Sequence, residues 1–303
     1  MSAAQLFFII GKGGVGKTTV SAALARAAAA RGRRALLVET AADGRLAQLF
    51  GARELAADPQ RLATRIAAVR IDQRQLVEAY FTRLLRVPML ARRLFASTSF
   101  NALTAAAPGV SEFLLLERIL EWLEPSGLLA RRAYDLVIVD GPATGHALTL
   151  LRTPRNLATM VPGGPIGGTA RRLLALLGDS TRTRAVLVTI PEDLAINETL
   201  EAHAALAGDL MVRVERPVLN RIFPRRFSRA DTAQLPLRNG DGGPLLAAAQ
   251  FQIAARRDAE RHLGRLRRAL GVTPLVLPNV FTEALTAAQL DVAARRVCSA
   301  LLS

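Results

Sequence analysis

The chain has 303 residues, half of them apolar and 21% charged, and its mean hydropathy is +0.23. That composition excludes a disordered or collagen-like chain and leaves enough apolar residues for a sizeable core. The net charge is +15, spread over both halves without a basic tail, and a single cysteine, Cys298, excludes a disulfide framework or a cysteine-built zinc site within one chain. No apolar run reaches the ~18–20 residues of a membrane span. The N-terminus has no basic n-region or cleavage site. A cytoplasmic protein is expected. Aromatic residues are few and form no stripe with the basic ones, so nucleic acid is not the expected partner.

Leu6–Ile10 is an apolar run ended by Gly11 and reads as a buried strand. Residues 17–30 are rich in alanine and read as a helix. Residues 35–40 form the next strand, completing a βαβ unit with a parallel sheet. A third strand is expected at 66–72. Residues 73–107 read as largely helical and unusually apolar, and 111–124 as an amphipathic helix. Asp135–Asp140 holds a continuous apolar strand ending in a carboxylate. Further strands are expected at 185–190, 217–222 and 273–277, with a loop at 238–244 and closing helices at 245–270 and 283–302. The closing helix carries Leu285, Leu290, Val297, Leu301 and Leu302 with few basic residues, so it reads as a core element rather than a membrane anchor. The pattern predicts an α/β chain, a mostly parallel sheet with helices on both faces. It is expected to be a single domain over 1–303, with a helical segment, 73–131, inserted on it.

The two lysines are Lys12 and Lys17; arginine fills every other basic position. Both lie in Gly11-Lys12-Gly13-Gly14-Val15-Gly16-Lys17-Thr18, followed by Thr19. A lysine is a compact point charge, whereas arginine is a wide planar fork, and a tight phosphate cradle admits the first more readily. The segment fits G-x-x-x-x-G-K-S/T, after a strand and opening a helix, as that motif requires. Its backbone N–H groups can converge on phosphate oxygens, Lys17 can reach the β/γ-phosphates, and the Thr18 hydroxyl can ligate Mg²⁺. The fold class is therefore a P-loop NTPase, with ATP and Mg²⁺ as the expected cofactors. Asp140, ending its strand, is the expected carboxylate that holds Mg²⁺ through water.

The extra lysine makes this loop similar to the deviant P-loop of dimeric ATPases, among them the partition, septum-site, nitrogenase-iron-protein and arsenite-pump families. The resemblance implies that Lys12 reaches across a dimer interface to a partner's nucleotide. Asp140-Gly141-Pro142-Ala143-Thr144-Gly145-His146-Ala147-Leu148, then Leu151 and Pro154, resembles the switch of the arsenite-pump (ArsA-type) and tail-anchored-protein-targeting ATPases. Ala107-Pro108-Gly109 with Glu112, Val188–Glu192 with Glu198-Thr199, and Val218-Leu219-Asn220-Arg221 resemble further motifs of that family in the same order. By this resemblance Asn220 contacts adenine.

The chain also departs from the family. Where the first switch has an aspartate that activates the attacking water, this sequence has Ala41, with Glu39 and Asp43 close by. Asp43 is the expected catalytic carboxylate and Glu39 the alternative. Hydrolysis by the protein alone is expected to be slow. A Val-Glu pair with Ala47-Gln48-Leu49-Phe50 resembles a short, zinc-less actinobacterial branch, which implies a homodimer or a heterodimer with a paralogous ATPase, and a membrane-protein client. Arsenite itself needs thiolates that one cysteine cannot supply. Segment 76–107 is the expected client or partner surface. Two rival readings stand beside this one: a partition or positioning ATPase acting at membrane or nucleic acid, and a catalytically weak partner subunit.

Overall fold

From Leu6 to Ile10 every side chain of β1 (Gln5–Ile10) is buried. Leu6, Phe8 and Ile10 enter one core cluster while Phe7 and Ile9 enter another. Alternating side chains point to opposite faces of a strand, so this one strand feeds two cores. That is why its sequence is continuously apolar rather than alternating.

The computed structural model describes residues 4–41, 44–85, 109–124, 133–234, 243–282 and 285–302. β1 lies between β5 (Leu136–Asp140) and β6 (Thr183–Thr189), parallel to both. On the β5 side follow β2 (Ala35–Glu39) and β4 (Ile66–Arg70), both parallel, and β3 (Gln60–Ala63), the antiparallel edge. On the β6 side follow β8 (Val218–Ile222) and β9 (Leu275–Pro278), again parallel. A two-residue strand, β7 (Arg213–Val214), pairs with β6. Among the described residues the result is a nine-stranded sheet.

Helices cover both faces. α1 (Lys17–Ala30), the short α2 (Arg45–Leu49) and the final α10 (Ala287–Leu301) share the core that takes Phe7 and Ile9. α3 (Gln73–Leu85), α4 (Val110–Leu123), α5 (Thr144–Met160) and α6 (Gly164–Gly178) share the core that takes Leu6 and Phe8. α7 (Asp193–Ala207) and the long α9 (Gly243–Leu270) meet over β8 in a smaller cluster built on Ile196, Leu219 and Leu266. The six-residue α8 (Arg229–Gln234) precedes α9.

The α/β class and the parallel sheet expected from the sequence are present, and all seven expected strands form. The strands β3 and β7 were not expected; each is short, half polar and at least partly exposed, so neither carries a run of apolar residues. α5 runs through Pro154, whose missing N–H leaves the Leu150 carbonyl without its helical donor. The closing helix is a core element: Leu290, Val297 and Leu301 are buried against α1, and the Arg26 Nε donates to Asp291 Oδ1 at 2.6 Å. No helix among the described residues is long and apolar enough to cross a membrane. Of the expected interaction segment, Val77 and the partly buried Leu76 and Tyr80 pack on the core. Met89, Phe95 and the rest of 86–107 lie outside the described residues.

Candidate nucleotide-binding site

The parallel strands β1, β2, β5, β6 and β8 all end at one edge of the sheet, and every site residue placed by the structure lies there. Ligands of open α/β sheets bind outside such carboxyl ends. Gly11 follows β1 and is buried; Gly13 and Gly14 are exposed at the tip of the loop; Lys17 opens α1, with Thr18 and Thr19 half-buried behind it. The α1 N-cap, Gly16, has no side-chain cap, and the first turn has no acidic residue. The free N–H groups and the positive end of the helix are therefore directed at the loop. Lys17 Nζ donates to the carbonyls of Gly11 at 3.0 Å and Lys12 at 3.1 Å, which folds the charge back over the loop.

Two glycines are required by close contact. A Cβ on Gly11 would stand 2.1 Å from the Val188 carbonyl oxygen of β6. At Gly16, with φ of +98°, a Cβ would stand 2.3 Å from Asn220 Nδ2. Asn220, buried in the middle of β8, donates from Nδ2 to the Val15 carbonyl at 2.9 Å. The loop is thus seated on β6 and β8.

Asp140 ends β5, is 4% exposed, and is in register with Ile9 on one side and Glu39 on the other. The Ser21 hydroxyl of α1 lies 3.0 Å from Asp140 Oδ1 and 3.0 Å from the Lys17 carbonyl, so its one proton serves one acceptor at a time. The Thr40 hydroxyl donates to the Asp140 carbonyl at 2.7 Å, and the Gly141 N–H to the Ile9 carbonyl at 3.1 Å. Glu39 is 1% exposed, and its Oε1 accepts the Leu46 N–H at 3.2 Å. Its carboxylate therefore ties α2 to the end of β2. Ala41 is exposed, while Asp43 lies outside the described residues. The Thr144 hydroxyl, at the start of α5, is buried without a hydrogen-bond partner among the described residues. His146 is exposed.

A cavity of about 280 Å³ opens beside the loop, walled by Gly16, Thr19, Asn220, Pro278, Asn279 and Leu290. Asn220 is legible in the sequence only through the family resemblance, and the structure places it in the middle of β8. The wall from Pro278 and Asn279 is faint in the sequence, where Pro274-Leu275-Val276-Leu277-Pro278 resembles the family's adenine loop only weakly. The contribution of α10 had no local signal at all.

Among the described residues no cluster of three or more His, Cys, Asp or Glu could hold a metal. The site offers oxygen donors instead: the Thr18 hydroxyl and the Asp140 carboxylate, the latter held in place by Ser21. This donor set fits a hard cation that keeps most of its waters and shares phosphate oxygens, as Mg²⁺ does.

A parallel sheet with a glycine loop, an uncapped helix N-terminus, a lysine and a strand-end aspartate at one edge defines a P-loop NTPase. The chain belongs to the ArsA family of anion-transporting ATPases, whose family model matches residues 4–162. It is 29% identical over 304 residues to ATPase BagA of Mycobacterium tuberculosis, covering 92% of this chain and 88% of that protein. Against the Arsenical pump-driving ATPases of Acidiphilium multivorum and Escherichia coli it is 27% identical, covering 74% of this chain and 40% of each.

Proposed function

We propose that the protein is a Mg²⁺-dependent, dimeric ATPase that couples its nucleotide state to a client or partner. The observation that carries this reading is the Ser21 bridge: one hydroxyl lies 3.0 Å from both the backbone of Lys17 and the carboxylate of Asp140. Phosphate-binding and metal-binding groups thus belong to one assembly. In this reading Gly11, Gly13, Gly14, Val15 and Gly16 present backbone N–H groups to the phosphates, and Lys17 turns from the loop carbonyls to the β/γ-phosphates. Thr18 and Asp140 hold Mg²⁺, which neutralises charge on the phosphate oxygens. Asn220 and Thr19 border the adenine in the 280 Å³ cavity.

Lys12 stands next to the exposed Gly13 and Gly14, a position from which an ammonium can meet a second subunit. A positive charge delivered there would stabilise the transferring phosphoryl group. The partner is a second copy or a paralogous ATPase, and the client a membrane protein, in the cytoplasm. Asp43 is the carboxylate proposed to align the attacking water. The burial of Glu39 and its bond to Leu46 support a tethering role for that residue instead.

The test is ATP turnover and light scattering of the purified chain with and without Mg²⁺, alone and with a paralogue. Nucleotide-dependent dimers and Mg²⁺-dependent turnover are expected; a monomer under every nucleotide condition, with metal-independent hydrolysis, would sink the reading. A second reading, a catalytically weak partner subunit, is favoured by the exposed Ala41. The positioning-ATPase reading loses its support from α10, whose apolar side chains are buried in the core.

A further inference from the structure

The chain leaving β8 runs Phe223-Pro224-Arg225-Arg226-Phe227-Ser228 into α8 and lies along the side of α9. Between them is a cleft of about 470 Å³, larger than the cavity beside the P-loop. Arg225, Arg226, Arg256 and Arg257 line it. The one carboxylate among its described lining residues, Glu260, is engaged by Arg256, whose Nε donates to Oε1 at 3.0 Å. Nearby carboxylates are engaged too. Asp231 accepts the Ser228 N–H at 2.7 Å, and Asp258 pairs with Arg261 at 3.4 Å. Among the described residues Arg225, Arg226 and Arg257 have no carboxylate partner.

Guanidiniums gathered in a concavity repel one another and focus a positive field into it, which an anion would relieve. Their planar forks match phosphate oxygens two at a time. Other groups in the cleft are not charged. Gln252 also lines the cleft, with its Oε1 buried and without a hydrogen-bond partner among the described residues. Phe227 forms part of the wall, and Arg226 lies over the ring of Phe281, 5.6 Å from its centroid. Phe281 in turn meets Phe223 edge-on at 5.4 Å. A cleft of this volume is the size of a small-molecule site.

We propose that this cleft is a second anion site, taking a small, multiply phosphorylated ligand of the nucleotide or pyrophosphate class. It is separate from the P-loop but joined to it through one segment. Phe281 follows Asn279 and Val280, which wall the cavity beside the P-loop. Occupancy of the cleft therefore bears on the segment that borders the base.

Calorimetric titration of the full-length Lys17→Ala protein tests this, with ADP in one arm and inorganic pyrophosphate in the other. Binding of at least one probe is expected, and the Arg225→Ser/Arg257→Ser double variant in that background should weaken it about tenfold or more. Pyrophosphate equal to ADP marks the phosphates alone as the recognised group; tighter ADP marks a nucleotide. The control is Arg267→Ser/Arg268→Ser, which removes the same charge from the exposed end of α9 and should leave binding unchanged. If Lys17→Ala fails to fold, the otherwise wild-type protein should take a second equivalent of ADP per chain that the Arg225→Ser/Arg257→Ser variant loses. No binding of either probe, or equal loss in the control, would overturn the proposal. So would binding of nucleic acid or anionic vesicles without either small probe.

Discussion

Asn220 Nδ2 donates to the carbonyl of Val15 at 2.9 Å, joining β8 to the middle of the phosphate loop. The same Nδ2 would stand 2.3 Å from a Cβ on Gly16. The loop thus has its shape fixed from beneath by β8. Asn220→Ala leaves the buried Val15 carbonyl without this donor and should cost about 1–3 kcal/mol of stability. Thermal unfolding with and without ADP checks this, and the stabilisation by ADP should also shrink. Gly16→Ala should be worse, because both the contact and the φ of +98° forbid the side chain.

Lys17→Ala should abolish ATP binding. The ammonium already spans the loop through the Gly11 and Lys12 carbonyls, and its loss removes the charge at the phosphates. A weakening of about two orders of magnitude or more is expected in a calorimetric titration. Unchanged affinity would rule out this site.

Lys12→Arg should bind nucleotide normally yet lose nucleotide-dependent dimer closure or turnover. Its carbonyl, not its side chain, serves the loop in one chain, so the substitution spares the local structure. Analytical ultracentrifugation with a non-hydrolysable ATP analogue, beside a turnover assay, separates the two effects. Equal turnover in variant and parent would remove Lys12 from the interface.

Glu39 and Asp43 should respond in opposite ways. Glu39 accepts a backbone N–H through Oε1, and Gln retains that acceptor, so Glu39→Gln should keep most of the activity. Asp43→Asn should abolish it. Phosphoryl transfer depends on a positioned water, and loss of its aligning group can cost orders of magnitude while binding survives. Single-turnover measurements at saturating ATP decide between them; an inactive Glu39→Gln with a fully active Asp43→Asn would reverse the assignment.

Acid should loosen the contact among α4, α6 and β6. Burial pushes the Glu124 carboxyl upward, but hydrogen bonds from Arg182 and Arg172 together outweigh it and hold the group below its usual range. A lowered folded-state pKa contributes stability above the unfolded carboxylate value. That contribution is lost as the pH falls through the folded value. Since the pair is partly exposed and screened, Glu124→Gln should cost about 0.5–1 kcal/mol at pH 7. The difference between variant and parent should fade as the pH drops below about 4 in urea unfolding.

The sequence by itself determined the strand, glycine loop and helix from Leu6 to Ala30, and the strand that delivers Asp140. Both signals are local: a run of side chains buried on both faces, and residue types at a spacing that only a tight phosphate turn needs. Tertiary structure alone decided what lies against them. Asn220 reaches Val15 across 205 positions, and the chain between them contributes nothing to that contact that a local pattern could register. Glu39 was legible as a strand-end carboxylate, but only the register of β2 with β5 and the return of Leu46 show that it is buried and tethered. The gathering of Arg225 and Arg226 with Arg256 and Arg257 needs the loop after β8 to lie along α9. In a chain that uses arginine almost everywhere, these residues have no distinguishing mark until the fold brings them to one cleft.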